Sequence, residues 1–252
     1  LRVAKEESSP GETILKVNNL CVHDDRDLLA VNDLSLEVKS GEILGIAGVE
    51  GNGQRELVET ITGLRNAKTG EILISDTSII EFSPRQISEL GVAHIPEDRE
   101  KHGLIGAHSV ADNLILNRYY KTPFSNKGIR QQKAIANYAT EMVEKFDIRT
   151  PDIETPSSSL SGGNKQKAIA AREFSHDAKL LVASQPTRGI DVGSIEFVHQ
   201  QLIQQRDQGL AVLLVSAELD EILSLSDRIA VIYRGRLIVT ENSAELDRNR
   251  IG

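Results

Sequence analysis

The chain has 252 residues, of which 39% are hydrophobic, 26% charged and 4% aromatic, the profile of a globular protein large enough for one domain or a core with one added lobe. Its 29 Lys plus Arg against 37 Asp plus Glu give a formal charge of -8 with no clustered basic face, which disfavours nucleic-acid binding through phosphate contacts. The longest apolar stretches, such as residues 211–215, are strand-sized against the ~20 residues of a membrane span, and the single cysteine, Cys21, excludes an internal disulfide framework and a Cys-based zinc cluster.

The chain opens at Leu1 without a signal-peptide apolar region, and residues 5–12 (Lys-Glu-Glu-Ser-Ser-Pro-Gly-Glu) are polar. Residues 1–12 are therefore expected to be a linker, the location cytosolic, and the chain a piece of something longer. Strand-like runs then alternate with helical patterns, the signal for an α/β fold with a largely parallel sheet. Residues 43–49 form a buried-strand candidate followed by Gly51-Asn52-Gly53, after which Leu57, Val58, Ile61 and Leu64 recur at helical spacing. Short strands are expected at 71–75 and 78–80. Ser83-Pro84 predicts an N-cap with Pro in the first helical turn, closed by Gly91. A strand at 92–95 leads into a charged loop. From about 97 to 160 the pattern reads as helix after helix without a convincing strand, with helices expected at 111–120 and 129–146. Strands resume at 180–183, 211–216 and 229–233, separated by a helix at 194–206 and a short one from Glu218. The core is thus split around a helical insertion.

A phosphate-binding loop requires glycines for close backbone approach, free amides, a Lys for the outer phosphates and a Ser or Thr for magnesium. Residues 48–57 (Gly-Val-Glu-Gly-Asn-Gly-Gln-Arg-Glu-Leu) have the glycines and the strand-to-helix context. Gln54 stands where Lys belongs and Arg55 where the hydroxyl belongs. Taken alone the segment reads equally as a glycine turn. Farther on, Leu160-Ser161-Gly162-Gly163-Asn164-Lys165-Gln166 opens a helix, where small residues and free amides make an anion nest or simply a Ser-capped turn. About 20 residues later an apolar strand ends in Ser184-Gln185-Pro186-Thr187-Arg188-Gly189-Ile190-Asp191.

In order and spacing these motifs resemble the nucleotide-binding domains of ABC transporters, over residues 14 to about 245. The wording of residues 48–53, 95–104 and 185–189 is most similar to the sugar and nucleoside importers whose ATPase is two fused domains, and within them to the second half of the nucleoside-importer type. The resemblance implies a P-loop NTPase (RecA-like) core with a mostly parallel sheet, an antiparallel β subdomain and an inserted α-helical subdomain, spanning residues 13–252. It implies ATP and Mg2+ as cofactors of the parent protein, an N-terminal ATP-binding half as partner, membrane permease subunits, an indirectly engaged substrate-binding lipoprotein, and a position on the cytoplasmic face of the membrane. Simple sugars are the alternative cargo, and a domain that hydrolyses ATP itself is the alternative activity. Non-transport members of the family would be expected to carry long basic arms, which this sequence lacks.

Residue by residue, the hydrolytic groups implied by the resemblance are replaced. Ser184 and Gln185 stand where the strand normally ends in the magnesium-organising Asp and the water-activating Glu, and Ala217 stands where the switch His belongs. Glu97 matches the magnesium-sensing Gln, and His23 is the nearest candidate for the adenine-stacking aromatic. Glu50 and Glu56 against Arg55 leave the Gly48, Gly51, Asn52, Gly53, Gln54 loop with a net negative charge beside a polyanion. The loss of the Lys and the hydroxyl removes two charge-assisted contacts of roughly 1.5 to 3 kcal/mol each, about two to four orders of magnitude in affinity, unless Arg55 turns toward the phosphates. The signature is intact. In head-to-tail pairing, Ser161, Gly162, Gly163, Asn164 and Gln166 are expected to close over the partner's ATP, with Asp191 as the inter-domain Asp or an N-cap. Residues 105–115 are expected to dock the permease or to pack internally.

Overall fold

The structure, a computed structural model, describes residues 5–243, and these fall into two compact units. One comprises the chain up to His94, Ala178–Gln185 and the chain from His199; the other comprises Ile95–Asp177 and Pro186–Val198.

In the first unit, β1 (Thr13–His23), β2 (Leu29–Lys39), β4 (Thr69–Ile74) and β5 (Thr77–Ser78) form an antiparallel sheet in the order β2-β1-β4-β5. The pattern reading does not single out β1 and β2, because alternation fails inside both. Bulges interrupt the register after Val17, and Asn19 (φ 45) and Asp33 (φ 55) take left-handed conformations, joined by a 2.9 Å hydrogen bond from Asn19 Nδ2 to Asp33 Oδ1. The larger sheet runs β12-β11-β3-β10-β9-β6, with β3 (Ile43–Ala47), β6 (Val92–Ile95), β9 (Leu180–Ser184), β10 (Ala211–Val215), β11 (Arg228–Tyr233) and β12 (Arg236–Asn242). Pairs β9–β10, β10–β3 and β3–β11 are parallel, and β12 closes the edge antiparallel to β11. One apolar core joins Leu15, Val17, Leu20 and Val38 of the small sheet to Leu44, Ile46, Val182, Leu213 and Ile232 of the large one, with Leu57 and Ile61 of α1 (Gln54–Ile61). Helix α2 (Pro84–Glu89) has the expected Ser83 cap and Pro84 start, completed by a reciprocal bond with Gln86. Helix α7 (Leu219–Leu225) lies against β3, where Gly45 leaves the room that Ile222 and Ser226 fill.

Residues 5–11 have no regular structure, yet they are fastened. Lys5 Nζ donates to Ser226 O (2.6 Å) and pairs with Asp227 (3.1 Å), buried Arg206 Nη2 donates to Glu6 O (3.0 Å), and Gly11 N donates to Ser40 O (2.9 Å).

The second unit is mainly helical: α3 (Val110–Leu114), α4 (Gln132–Lys145) and α5 (Gly162–Phe174) pack on one another around Asn113, whose side chain bonds Ile105, His108, Ser109 and Ser157. Two expected helices are shorter than read. The first stops at Leu114, beyond which Leu116 and Arg118 make only three-residue turns to Asn113 and Ile115. The second starts at Gln132, because β7 (Ser125–Asn126) and β8 (Ile129–Arg130) pair across Lys127 (φ 50) and Gly128 (φ 81), a tight hairpin that corrects the expectation of a strand-free insertion. Residues Arg99–Gly103, read as a charged loop, form a π-helical turn. A 3-10 turn spans Ser157–Ser159 ahead of α5, and α6 spans Val192–Asp207.

Candidate functional site

The glycine loop of the first unit is engaged by its own residues. Gly53, the last residue before α1, sits at φ 103, and a Cβ there would lie 2.3 Å from Ala30 O. Gln54 then folds back: its Oε1 accepts from the Asn52 N–H (3.0 Å) and its Nε2 donates to Val49 O (2.9 Å). Asn52 adds three further bonds, from its Nδ2 to Val49 O (2.8 Å), to its Oδ1 from the Arg234 N–H (2.8 Å), and to its carbonyl from the Gly235 N–H (3.0 Å). The loop is thereby stapled to the β11–β12 turn. Arg55 points elsewhere: its Nε donates to Glu59 Oε1 (2.7 Å), its Nη2 lies 3.8 Å from Asp25, and the Glu59 carboxylate raises its pKa. Glu56 occupies the first helical turn, where a negative charge suits the helix dipole. His23 pairs through Nδ1 with Asp27 Oδ1 (2.6 Å), holding that carboxyl below its ordinary range.

At the end of β9, Ser184 is buried and Gln185 adopts φ 48. Gln185 donates its N–H to Val215 O (2.7 Å) and accepts at Oε1 from the Ala217 N–H (3.1 Å), so these two substituted positions meet. Within residues 48–57 there is no ammonium group, the one cation, Arg55, pairs with Glu59 and lies 3.8 Å from Asp25, and the Asn52 N–H is bonded to Gln54.

The second unit gathers the remaining positions. Ser161 caps α5, its Oγ accepting from Asn164 N (3.4 Å) and Asn164 Nδ2 (3.0 Å), while Asn164 Oδ1 accepts from the Arg149 N–H (2.8 Å). Asn164 thus holds the turn in place. Gly163 is a packing glycine: a Cβ there would lie 2.2 Å from Ser194 Oγ and 2.7 Å from Asp191 Oδ2, whereas one on Gly162 would meet nothing closer than 3.5 Å. Asp191 caps α6 by accepting from Ser194 N (3.0 Å) and Ser194 Oγ (2.8 Å), and the Ser194 side-chain and backbone bonds hold its carboxyl below the ordinary range. Gln166 is 1% exposed and neither side-chain atom has a hydrogen-bond partner. Glu97 pairs with Arg188, Glu100 pairs with Lys165, and Asp98 accepts from the Lys101 and Glu100 N–H groups at 3.0 Å, which lowers its pKa.

Sequence reasoning did not single out Arg99, whose Nη1 donates to Arg188 O (2.7 Å), nor Ser194. The charge alternation of residues 97–102 was the available signal for Arg99, and it suits a solvated loop equally well. The two turns differ: the Ser161 hydroxyl and the first amides of α5 have the chemistry of an anion site, while in the glycine loop the Asn52 amide is bonded to Gln54. Among the described residues, no helix is long and apolar enough to cross a membrane.

The family described as "ABC transporter" matches residues 31–188. The chain is 48% identical over 251 residues to the guanosine import ATP-binding protein NupO of Bacillus subtilis, covering 100% of this chain and 49% of that protein. It is 48% identical over 233 residues to the nucleoside import ATP-binding protein NupA of Lactococcus lactis, covering 92% of this chain and 46% of that protein. The chain therefore spans about half the length of these relatives. A dimeric ATP-binding cassette in a post-hydrolysis state bound to ADP and Pi superposes with a TM-score of 0.78 at 19% identity, covering 91% of this chain and 99% of that one, which shows the P-loop NTPase fold.

Proposed function

Because the chain belongs to the ABC transporter family, we propose that it is the ATP-binding domain of an importer, energises nucleoside uptake on the cytoplasmic face of the membrane, and contributes its signature rather than its own loop to catalysis. The observation that carries this division is the self-bonded glycine loop, in which Gln54 occupies the Asn52 amide while Arg55 is ion-paired along α1. Gln185 and Ala217 supply neither a carboxylate base nor an imidazole, so turnover at this domain's own loop lacks the groups for proton transfer. ATP and Mg2+ belong to the composite site, formed with an N-terminal ATP-binding half of the same parent chain. There Ser161 and the amides of Gly162 and Gly163 face the partner's nucleotide, and bound magnesium supplies charge neutralisation to phosphoryl transfer. Permease subunits receive the resulting movement, and a substrate-binding lipoprotein delivers the cargo. Nucleosides are preferred over simple sugars because the two relatives at 48% identity carry nucleoside and guanosine import in their names.

The test is made in the complete transporter. Ser161→Arg places a long cation at the cap of α5 and holds the halves apart, so ATP-driven uptake is expected to vanish, whereas Gln185→Ala costs little. Near-normal uptake with Ser161→Arg, or an equal collapse with Gln185→Ala, removes the division of labour.

A further inference from the structure

We propose that Arg99 is a positioning residue for the signature: it fixes the start of α5 against residues 188–191 and makes displacement of the 97–103 segment inseparable from displacement of Ser161. The inference rests on the signature reading above and deepens it.

Its basis is the way the segment is fastened. At one end Asp98 caps the π-helical turn. At the other, the Gly103 carbonyl accepts from buried Arg172 Nη1 (2.7 Å), and a Cβ on Gly103 would lie 2.6 Å from Ile169 Cδ1, so that end is fixed to α5. Glu100 adds an ion pair to Lys165 of the same helix, and Glu97 one to Arg188. These two pairs involve exposed carboxylates and contribute little by themselves. Arg99 is different. Its Nη1 donates to a main-chain carbonyl, that of Arg188, and its Nη2 lies 3.6 Å from a Cβ built on Gly189 and 3.9 Å from one built on Gly162. One planar guanidinium therefore stands between the first residue of the signature helix and the residue two before Asp191. A cation beside the positive end of a 13-residue helix does nothing for that helix. Its placement is explained by what it holds. A π-helical turn, uncommon and concentrated at functional sites, sets the register that brings the side chain there.

A group that sets geometry needed for the chemical step lowers kcat without lowering affinity when removed. In the complete transporter, Arg99→Ala is expected to reduce ATPase kcat by about tenfold or more while KM for ATP stays within about twofold and the thermal midpoint is retained. Arg99→Lys, which keeps one donor to Arg188 O, is expected to recover turnover to within about threefold of the starting protein. A kcat within about twofold in Arg99→Ala, or a KM rise that accounts for the whole loss, overturns the proposal. Should Arg99→Ala fail to fold, Arg99→Met, which keeps the length of the side chain and has no donor for Arg188 O, is read by the same split: a drop of about tenfold in kcat at unchanged KM supports the role, and unchanged kcat overturns it. Ser161→Arg measured alongside separates the two readings: normal uptake there removes the signature reading itself, while a dead Ser161→Arg with an unaffected Arg99→Ala removes only this one.

Discussion

Two glycine-bearing turns lead into helices in this molecule, and they treat their helix ends in opposite ways. Before α1, Gly53 provides no side-chain cap, and the adjoining amide of Asn52 is taken by Gln54 from within the helix. Before α5, Ser161 caps from outside the helix and Asn164 steadies it, with Gly162 in only ordinary van der Waals range of its neighbours. In both turns the glycines answer to packing: Gly53 against Ala30 O, Gly163 against Ser194 and Asp191. Glycine content thus marks close backbone approach in either place. Whether an anion can use the turn is decided by where the neighbouring polar side chains spend their hydrogen bonds.

The largest expected effect that would break this comparison is at Gly163. Gly163→Val drives its side chain into Ser194 and Asp191 and is expected to cost about 1 to 3 kcal/mol in the denaturation of the domain and to eliminate uptake. Gly51→Ala, where a Cβ meets nothing within 4 Å, is expected to cost only the strain of its φ of 88, about 1 kcal/mol. Equal losses at the two sites would mean that the glycines of the two turns serve the same purpose.

A middle-sized effect sharpens the comparison from the other side. Gln54→Lys keeps a donor for Val49 O but has no acceptor for the Asn52 N–H, so it frees an amide as well as adding a charge. With Arg55→Ser, which gives up the exposed Glu59 pair at a cost of under about 1 kcal/mol, calorimetry is expected to show nucleotide affinity rising by about a hundred- to ten-thousandfold. No hydrolysis is expected from the pair, since Gln185 and Ala217 are unchanged. Turnover restored by these two substitutions would place the defect elsewhere.

The smallest effect concerns pH. The Asp191 carboxyl is depressed in the folded protein, so its charge contributes stability that is complete above the unfolded value and is lost as pH falls through the folded one. Asp191→Asn retains a cap without the charge. Denaturation midpoints of the two proteins are expected to differ at neutral pH and converge as pH falls below the usual carboxylate range. A gap that is constant with pH would show that the carboxylate charge contributes nothing.

Periodicity and motif spacing carried most of the architecture. The parallel strands β3, β9, β10 and β11 are short, buried on both faces and bounded by turns, so their apolar runs are legible one residue at a time. The Ser83-Pro84 start of α2 is equally local. By contrast, β1 and β2 escaped pattern reading because bulges at Asn19 and Asp33 break the alternation, and only pairing between the strands makes sense of them. The hairpin at residues 125–130 was hidden because two-residue strands have no period. The polar opening segment reads as free linker in sequence, while its attachment through Lys5 and Arg206 depends on groups some two hundred residues apart.

The candidate site divides along the same line. Sequence alone determined which functional groups exist: no Lys at position 54, no carboxylate at 184 or 185, no imidazole at 217, and the run Leu160-Ser161-Gly162-Gly163-Asn164. Chemistry that is missing from a side chain cannot be supplied by folding. Tertiary structure decided how the groups present are spent, turning Arg55 to Glu59, closing Gln54 over the loop, and placing Arg99 between Gly162 and Gly189. Hydrogen bonds and ion pairs are exclusive commitments made over a few ångströms, and only the folded chain brings their partners within that distance.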